Sequence, residues 1–309
     1  MLREVMDSLD LLDAPTADGE RVAAALRAAG AEDVEVTPVA TERGSTDFLR
    51  LLIPGTDGAD GGGEAPTLGI IGRLGGIGAR PSRVGFVSDG DGAAAAVACA
   101  LKLSRMRARG DRLAGDVVLA THICPDAPTL PHRPVEFMDS PVDISTMNRH
   151  EVCEEMDAIL SIDTTKGNRL VNSSGVSLTP AVLDGYVLKV PEDLLDVLES
   201  TTGRPAVTLP ITTQDITPYG NGLSHINSIM QPATEARVPV VGVAITAETT
   251  VPGSATGASH EGDIASAARF CLEAAQRFGR GTADFVDPEE VATLHRLYGS
   301  LRHLSQQGA

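Results

Sequence analysis

Five strand-length runs, at residues 48–53, 67–71, 116–121, 158–162 and 238–245, are apolar almost without interruption, and helix-length or irregular stretches stand between them. Strands that are apolar on both faces must be covered on both sides, which is the pattern of a parallel sheet packed between helices. The intervening segments fit that scheme. Residues 5–30 read as a helix pair broken at Asp13-Ala14-Pro15-Thr16 and stopped by Gly30, and residues 93–109 as an alanine-rich helix. Further helices are predicted over 192–201, 225–236, 263–278 and 289–304, and the Gly-rich loop 57–63 reads as a mobile hairpin tip. The predicted class is therefore α/β, a three-layer α/β/α sandwich with a mostly parallel sheet. No repeat or linker divides it, so one domain is expected over residues 1–309, with an irregular inserted region at 164–222.

Charge narrows the partners. The chain carries a formal net charge of −17 with a pI near 4.7, and no basic run offsets it. Polyphosphates and anionic membranes are repelled by such a surface, and aromatic residues at 3% offer no stacking platform for bases. Nucleic acid and membrane are thus excluded as expected partners. No apolar stretch approaches the ~20 residues of a membrane span. The opening Met1-Leu2-Arg3-Glu4-Val5-Met6-Asp7 bears acids where a signal peptide needs a basic and then an apolar run, so a cytoplasmic location is expected. Cys99, Cys124, Cys153 and Cys271 show no CxxC spacing, in keeping with a reducing compartment.

The chemistry-bearing residues share one address. Asp89, His122 with Asp126, and Asp163 each follow an apolar run, and His260 precedes a predicted helix. In a parallel sheet the C-terminal strand ends line one edge, so residues remote in sequence converge on one crevice. Carboxylates and imidazoles in such a mixture suit zinc, with manganese or nickel as alternatives. Each residue also has a structural role open to it: Asp89 and Asp91 as helix caps, Asp163 as a turn residue, His260 as a neighbour of the Asp263 helix start.

The order of elements resembles the co-catalytic zinc exopeptidases, the group holding tetrahedral, glutamyl and bacterial leucyl aminopeptidases. Asp89 in Val87-Ser88-Asp89-Gly90-Asp91-Gly92 is similar to the bridging metal ligand of that group, Asp163 in Ser161-Ile162-Asp163-Thr164 to its later aspartate, and His260 in Ser259-His260-Glu261-Gly262 to its closing histidine. Two junctions depart from the pattern. Arg73-Leu74-Gly75-Gly76 stands where the group has His-x-Asp, and Thr121-His122-Ile123-Cys124-Pro125-Asp126 stands where it has Glu-Glu. The chain as a whole also resembles a bacterial and archaeal family of unknown function, through segments such as Ser161-Ile162-Asp163-Thr164-Thr165-Lys166-Gly167-Asn168 and Thr213-Gln214-Asp215-Ile216-Thr217-Pro218-Tyr219-Gly220-Asn221-Gly222.

The resemblance implies a metal-dependent hydrolase acting on a small amide, peptide or carboxylated substrate. Asp89, Asp163, His260 and His122 are the expected ligands of a divalent metal, and His122, Cys124 and Asp126 the candidate catalytic groups. Arg73 and Arg80 would meet a substrate carboxylate, and the polar loop carrying Tyr219, Asn221 and His225 would line the substrate. The alternative is a non-catalytic relative that binds a small anion at the glycine-rich loop between Arg73 and Arg83. A third reading gives Cys124 a nucleophilic role beside His122. Assembly into a homo-oligomer is a further expectation from the family likeness.

Overall fold

The apolar runs do become a sheet, and the computed structural model describes residues 1–73, 90–130, 137–165, 169, 172–218, 228–248 and 259–305. Helices α1 (Leu2–Leu12) and α2 (Gly19–Ala28) lead into a hairpin, β1 (Asp33–Thr41) and β2 (Gly44–Ile53). There follow β3 (Leu68–Gly72), α3 (Asp91–Arg107) and β4 (Val117–Asp126), then a small ribbon of β5 (Thr129–Leu130) and β6 (Phe137–Met138). Next come α4 (Ile144–Glu151), β7 (Ala158–Thr165), β8 (Gly175–Leu183), β9 (Tyr186–Val187), α5 (Glu192–Thr202) and β10 (Val207–Thr208). The chain continues with β11 (Val240–Thr246), α6 (Glu261–Gly279) and α7 (Pro288–Tyr298).

The strand order β1-β2-β4-β3-β7-β11-β8-β10, with β9 beside β8, gives a nine-stranded sheet. Its centre, β4-β3-β7-β11, is parallel, and antiparallel pairs flank it on both sides, β2 against β4 and β8 against β11. The sheet is therefore mixed around a parallel centre. Alternate residues of the central strands face opposite layers. Leu68, Ile70, Leu119, Leu160, Ile162, Val241 and Val243 join the core made with α1, α2, α3, α5 and α6. Ile71, Val118, Ala120, Ile159, Val240 and Ala244 join a second core with Ile216, Ile229, Met230 and Ala233. That second layer is thin, built from α4 and the 3-10 turns Thr213–Ile216 and Gln231–Thr234.

Helix α3 is buried almost all round from Asp91 to Leu103, because alanine lets it sit close to the sheet with α1 against one flank and α6 against another. Ser8 of α1 donates to the Ala94 carbonyl at 2.9 Å, satisfying a hydroxyl that has no water to meet. Helix α2 starts where Asp18 accepts from the Arg21 amide at 2.7 Å, an N-cap bond.

Several expectations are revised. β4 runs past residue 121 to Asp126, so His122 and Cys124 lie inside a strand rather than after one. Asp163 likewise lies inside β7. The stretch 164–222 holds the expected helix as α5 and also supplies a strand that was not expected, β8, to the main sheet. Instead of a helix reaching 236, a 3-10 turn forms at Gln231–Thr234, and the terminal helix stops at Tyr298, where Gly299 adopts φ +72°. The loop read as a mobile tip is pinned: Asp116, itself buried, accepts from the Gly55 and Asp60 amides at 2.7 and 2.8 Å.

Candidate active site

The N-terminus of α3 is pressed onto the ends of β3 and β7, and glycine makes this possible. A Cβ on Gly72 would stand 2.5 Å from the Gly92 carbonyl oxygen, and one on Gly92 would stand 2.4 Å from that of Ile162. Backbone thus meets backbone where no side chain fits. The Arg73 amide donates to the Ile162 carbonyl at 2.8 Å, which carries the β3–β7 pairing one residue beyond Gly72. Asp91 opens α3 in a buried position and accepts from Ser259 Oγ at 2.5 Å, which ties the start of α3 to the segment entering α6.

Register then lines up the candidates. Gly72 pairs with Thr121 on one side and Ile162 on the other, so Arg73 falls level with His122 and Asp163. Phe48 pairs with His122, and Ala244 with Asp163. Residues in register on neighbouring strands share a face about 4.8 Å apart. A row Phe48–His122–Arg73–Asp163–Ala244 therefore crosses the parallel centre of the sheet on the face covered by α4 and the turn at 231–234.

Glu151, the last residue of α4, closes over this row. One carboxylate oxygen pairs with Arg73 Nη1 and the other lies 2.5 Å from His122 Nδ1. Arg73 is 0% exposed and Glu151 1%, so the ion pair is fully desolvated. Burial raises the Glu151 pKa, but the Arg73 and His122 charges and hydrogen bonds outweigh it and hold the carboxyl below the ordinary glutamate range. An ionised carboxylate accepts, so Nδ1 of His122 carries the proton, and in the neutral ring Nε2 holds the lone pair. Phe48 stacks on His150 of α4, with centroids 4.3 Å apart, and its ring centre lies 6.0 Å from that of His122. Nε and Nη2 of Arg73 have no hydrogen-bond partner among the described residues. Asp163, 2% exposed, accepts from Ser228 Oγ at 2.7 Å.

The other candidates fall into distinct settings. Cys124 is buried against Thr46, 3.5 Å from its hydroxyl; burial pushes its thiol up to about 12, so it carries almost no thiolate at neutral pH. Asp126 is exposed at the end of β4, and His260 is exposed at the N-cap of α6 without a side-chain capping bond. Asp89, Arg80, Arg83, Tyr219, Asn221 and His225 lie outside the described residues. Glu151 and Asp91 are the residues that sequence reasoning left out of its site. Grooves among the described residues open at the opposite strand ends: one of about 100 Å³ beside Arg50, Val118 and Cys153, another of about 420 Å³ beside Cys153, Met156 and Arg237.

Among the described residues no group of three or more His, Cys, Asp or Glu side chains is placed to hold a metal. Arg73 stands between His122 and Asp163 in the row, and its positive charge opposes a dication there. The described residues by themselves do not fit one.

Comparison with solved structures agrees with the architecture. The Legionella pneumophila LapA aminopeptidase superposes with a TM-score of 0.50 at 10% identity, over 93% of this chain and 72% of that one. At that identity the likeness is one of fold. A TET aminopeptidase from the marine sediment archaeon Thaumarchaeota archaeon SCGC AB-539-E09 matches at 0.48 and 12% identity, over 91% of this chain and 99% of that one. A glutaminyl cyclase from an Acidobacteriales bacterium matches at 0.46 and 12%, over 91% and 94%. No curated protein matches the sequence. Residues 37–308 match the family described as "Protein of unknown function (DUF1177)", and the chain belongs to that family.

Proposed function

We propose that this protein is a hydrolase-like enzyme for a small amide, peptide or carboxylated substrate, worked at the C-terminal ends of its parallel strands. The observation that carries the reading is the row His122–Arg73–Asp163, with Glu151 bridging His122 and Arg73. Glu151 fixes the tautomer of His122, as an orienting carboxylate does for a general base. Arg73 keeps two donor nitrogens, Nε and Nη2, without a partner among the described residues, and a guanidinium fork in a dry site suits a carboxylate or a developing oxyanion. Arginine then supplies positive charge at a position where the resembling exopeptidases have a metal-binding histidine. The same donors support the non-catalytic alternative, in which Arg73 holds an anion and no bond is broken.

The second reading is the metal-dependent one, with zinc, manganese or nickel held by Asp89, Asp163, His260 and His122. It is favoured by the His122–Glu151 bond, since metal-bound histidines commonly donate their other ring N–H to a carboxylate. One experiment separates the readings: metal analysis of the tag-free protein, with hydrolysis of a panel of N-acyl amino acids and dipeptides measured with and without chelator. The first reading expects turnover that survives chelation and falls at least tenfold in Arg73→Lys. Stoichiometric metal that is lost in Asp163→Asn, together with chelator-sensitive turnover, would replace it with the second. Anion binding without turnover of any panel member would leave the non-catalytic alternative.

A further inference from the structure

Arg73 offers more than positive charge. Glu151 takes Nη1, and the two nitrogens left without a partner among the described residues, Nε and Nη2, are neighbours on the guanidinium. Their N–H bonds point the same way, so together they make one two-pronged fork. Such a fork matches the paired oxygens of a planar carboxylate, whereas a tetrahedral oxyanion develops its charge on a single oxygen. The side chain is 0% exposed, so bulk water does not reach the fork, and a buried N–H without an acceptor is costly.

The fork also has a fixed neighbour. One carboxylate, Glu151, holds both Arg73 Nη1 and His122 Nδ1, which sets the guanidinium beside the imidazole. A seat for a carboxylate therefore lies next to the ring proposed as general base. Asp163, whose carboxylate disfavours a second anion beside it, stands on the other side of Arg73 in the row, so a substrate seated on the fork extends toward His122. In an N-acyl α-amino acid the carboxyl carbon and the acyl carbonyl carbon are three bonds apart, at most about 3.8 Å. That short reach suits two side chains gripped by one carboxylate. We infer, resting on the hydrolase reading above, that the substrates are N-acyl α-amino acids, dipeptides included, with the free α-carboxylate seated on Nε and Nη2 of Arg73. Water adds to the acyl carbonyl, the C–N bond breaks, and the proton taken up by His122 Nε2 passes to the leaving amine. The products are a carboxylic acid and a free amino acid. Recognition is then of the carboxyl end of the substrate.

Calorimetric binding and hydrolysis of three probes by the full chain test this: N-acetylglycine, the smallest member of the class, N-acetylglycinamide and N-acetyl-β-alanine. The acid should bind at least about tenfold more tightly than the carboxamide, whose NH2 turns a donor toward one prong of the fork. N-acetyl-β-alanine, one bond longer, should bind but be hydrolysed at least about tenfold more slowly than N-acetylglycine. Arg73→Lys keeps the charge and loses the fork, so KM for the acid should rise about tenfold and its preference over the carboxamide shrink to about threefold or less. An oxyanion role would instead lower kcat for both probes alike and would overturn the inference. Where the variant does not fold, the acid-to-carboxamide ratio of the wild type decides. Hydrolysis of acid and carboxamide with equal KM would keep the hydrolase reading and overturn the carboxylate seat. Acid-selective binding without turnover would keep the seat and overturn the hydrolase reading, and the absence of both would overturn both.

Discussion

Glu151→Gln isolates the chemistry of the buried cluster. The substitution keeps the shape of the side chain and removes one charge from a site where Arg73 is 0% and Glu151 1% exposed. The amide has one oxygen for two donors, Arg73 Nη1 and His122 Nδ1, and its NH2 must face one of them. Removing one partner of a buried ion pair costs about 3–5 kcal/mol, because the remaining charge stays desolvated and uncompensated. Equilibrium urea denaturation at pH 7 should show a loss of that size, against about 1 kcal/mol at most for an exposed pair. The pH dependence gives an independent check with a fixed sign. The folded-state pKa of Glu151 is depressed below its reference value of 4.5, so its contribution is fully present above that value and fades as pH falls through the folded pKa. The gap between wild type and variant should therefore hold from neutrality to about pH 5 and close in stronger acid. Adding Arg73→Met to Glu151→Leu should recover part of the loss, since the orphaned charge is gone, but not all of it, because His122 Nδ1 still lacks its acceptor. A loss below about 1 kcal/mol, or a gap that persists unchanged in acid, would refute the claim that this ion pair is buried and intact.

Two further outcomes test the setting of the site. Gly92→Ala puts a methyl 2.4 Å from the Ile162 carbonyl oxygen and should cost about 1–3 kcal/mol in a denaturation experiment, whereas Gly61→Ala, with nothing within 4 Å, should fall within about 0.5. If the two cost the same, α3 does not dock on the strand ends as described. Thiol labelling of the native protein at pH 7.5 should be slow at Cys124, whose thiol burial pushes up to about 12, and at half-buried Cys153, raised to about 11 by burial and the neighbouring Glu155; unfolding should expose all 4 cysteines. Rapid native labelling at Cys124, mapped by mass spectrometry, would restore a thiol role there.

How far the fold could be read depended on what each residue does locally. The five apolar runs all became strands of the main sheet, because burial on both faces leaves a continuous signal in sequence. β8 was missed for the opposite reason. Ser177, Thr179 and Pro180 interrupt it, and the tolerance of Thr179 is explained only across the sheet: its Oγ1 accepts from the Gly242 amide at 2.7 Å, where β11 shifts register between Val241 and Val243. Strand ends were misplaced at His122 and Asp163 because polarity was taken as the edge of the core. A buried polar side chain looks like a loop residue until its partner is known. For His122 that partner is 29 residues away on α4, and for Asp163 it is Ser228.

Glu151 did leave one trace. It falls on the same helical face as Met147 and Asn148, both buried, so the periodicity of residues 144–151 alone could have turned it inward. What no periodicity could supply is the row itself. His122, Arg73 and Asp163 are neighbours because β3 lies between β4 and β7, and that order is set by how the crossovers close over the sheet. Sequence reading sent His122 and Asp163 to one edge, where any parallel arrangement would put them, and placed Arg73 only through the resemblance. It named His122 and Asp163 as ligands of one cation and Arg73 as the partner of a substrate carboxylate, and the strand order adds that Arg73 stands between the two. Adjacency, rather than residue type, is what distinguishes an arginine-centred site from a metal-centred one, and adjacency in a sheet belongs to the topology.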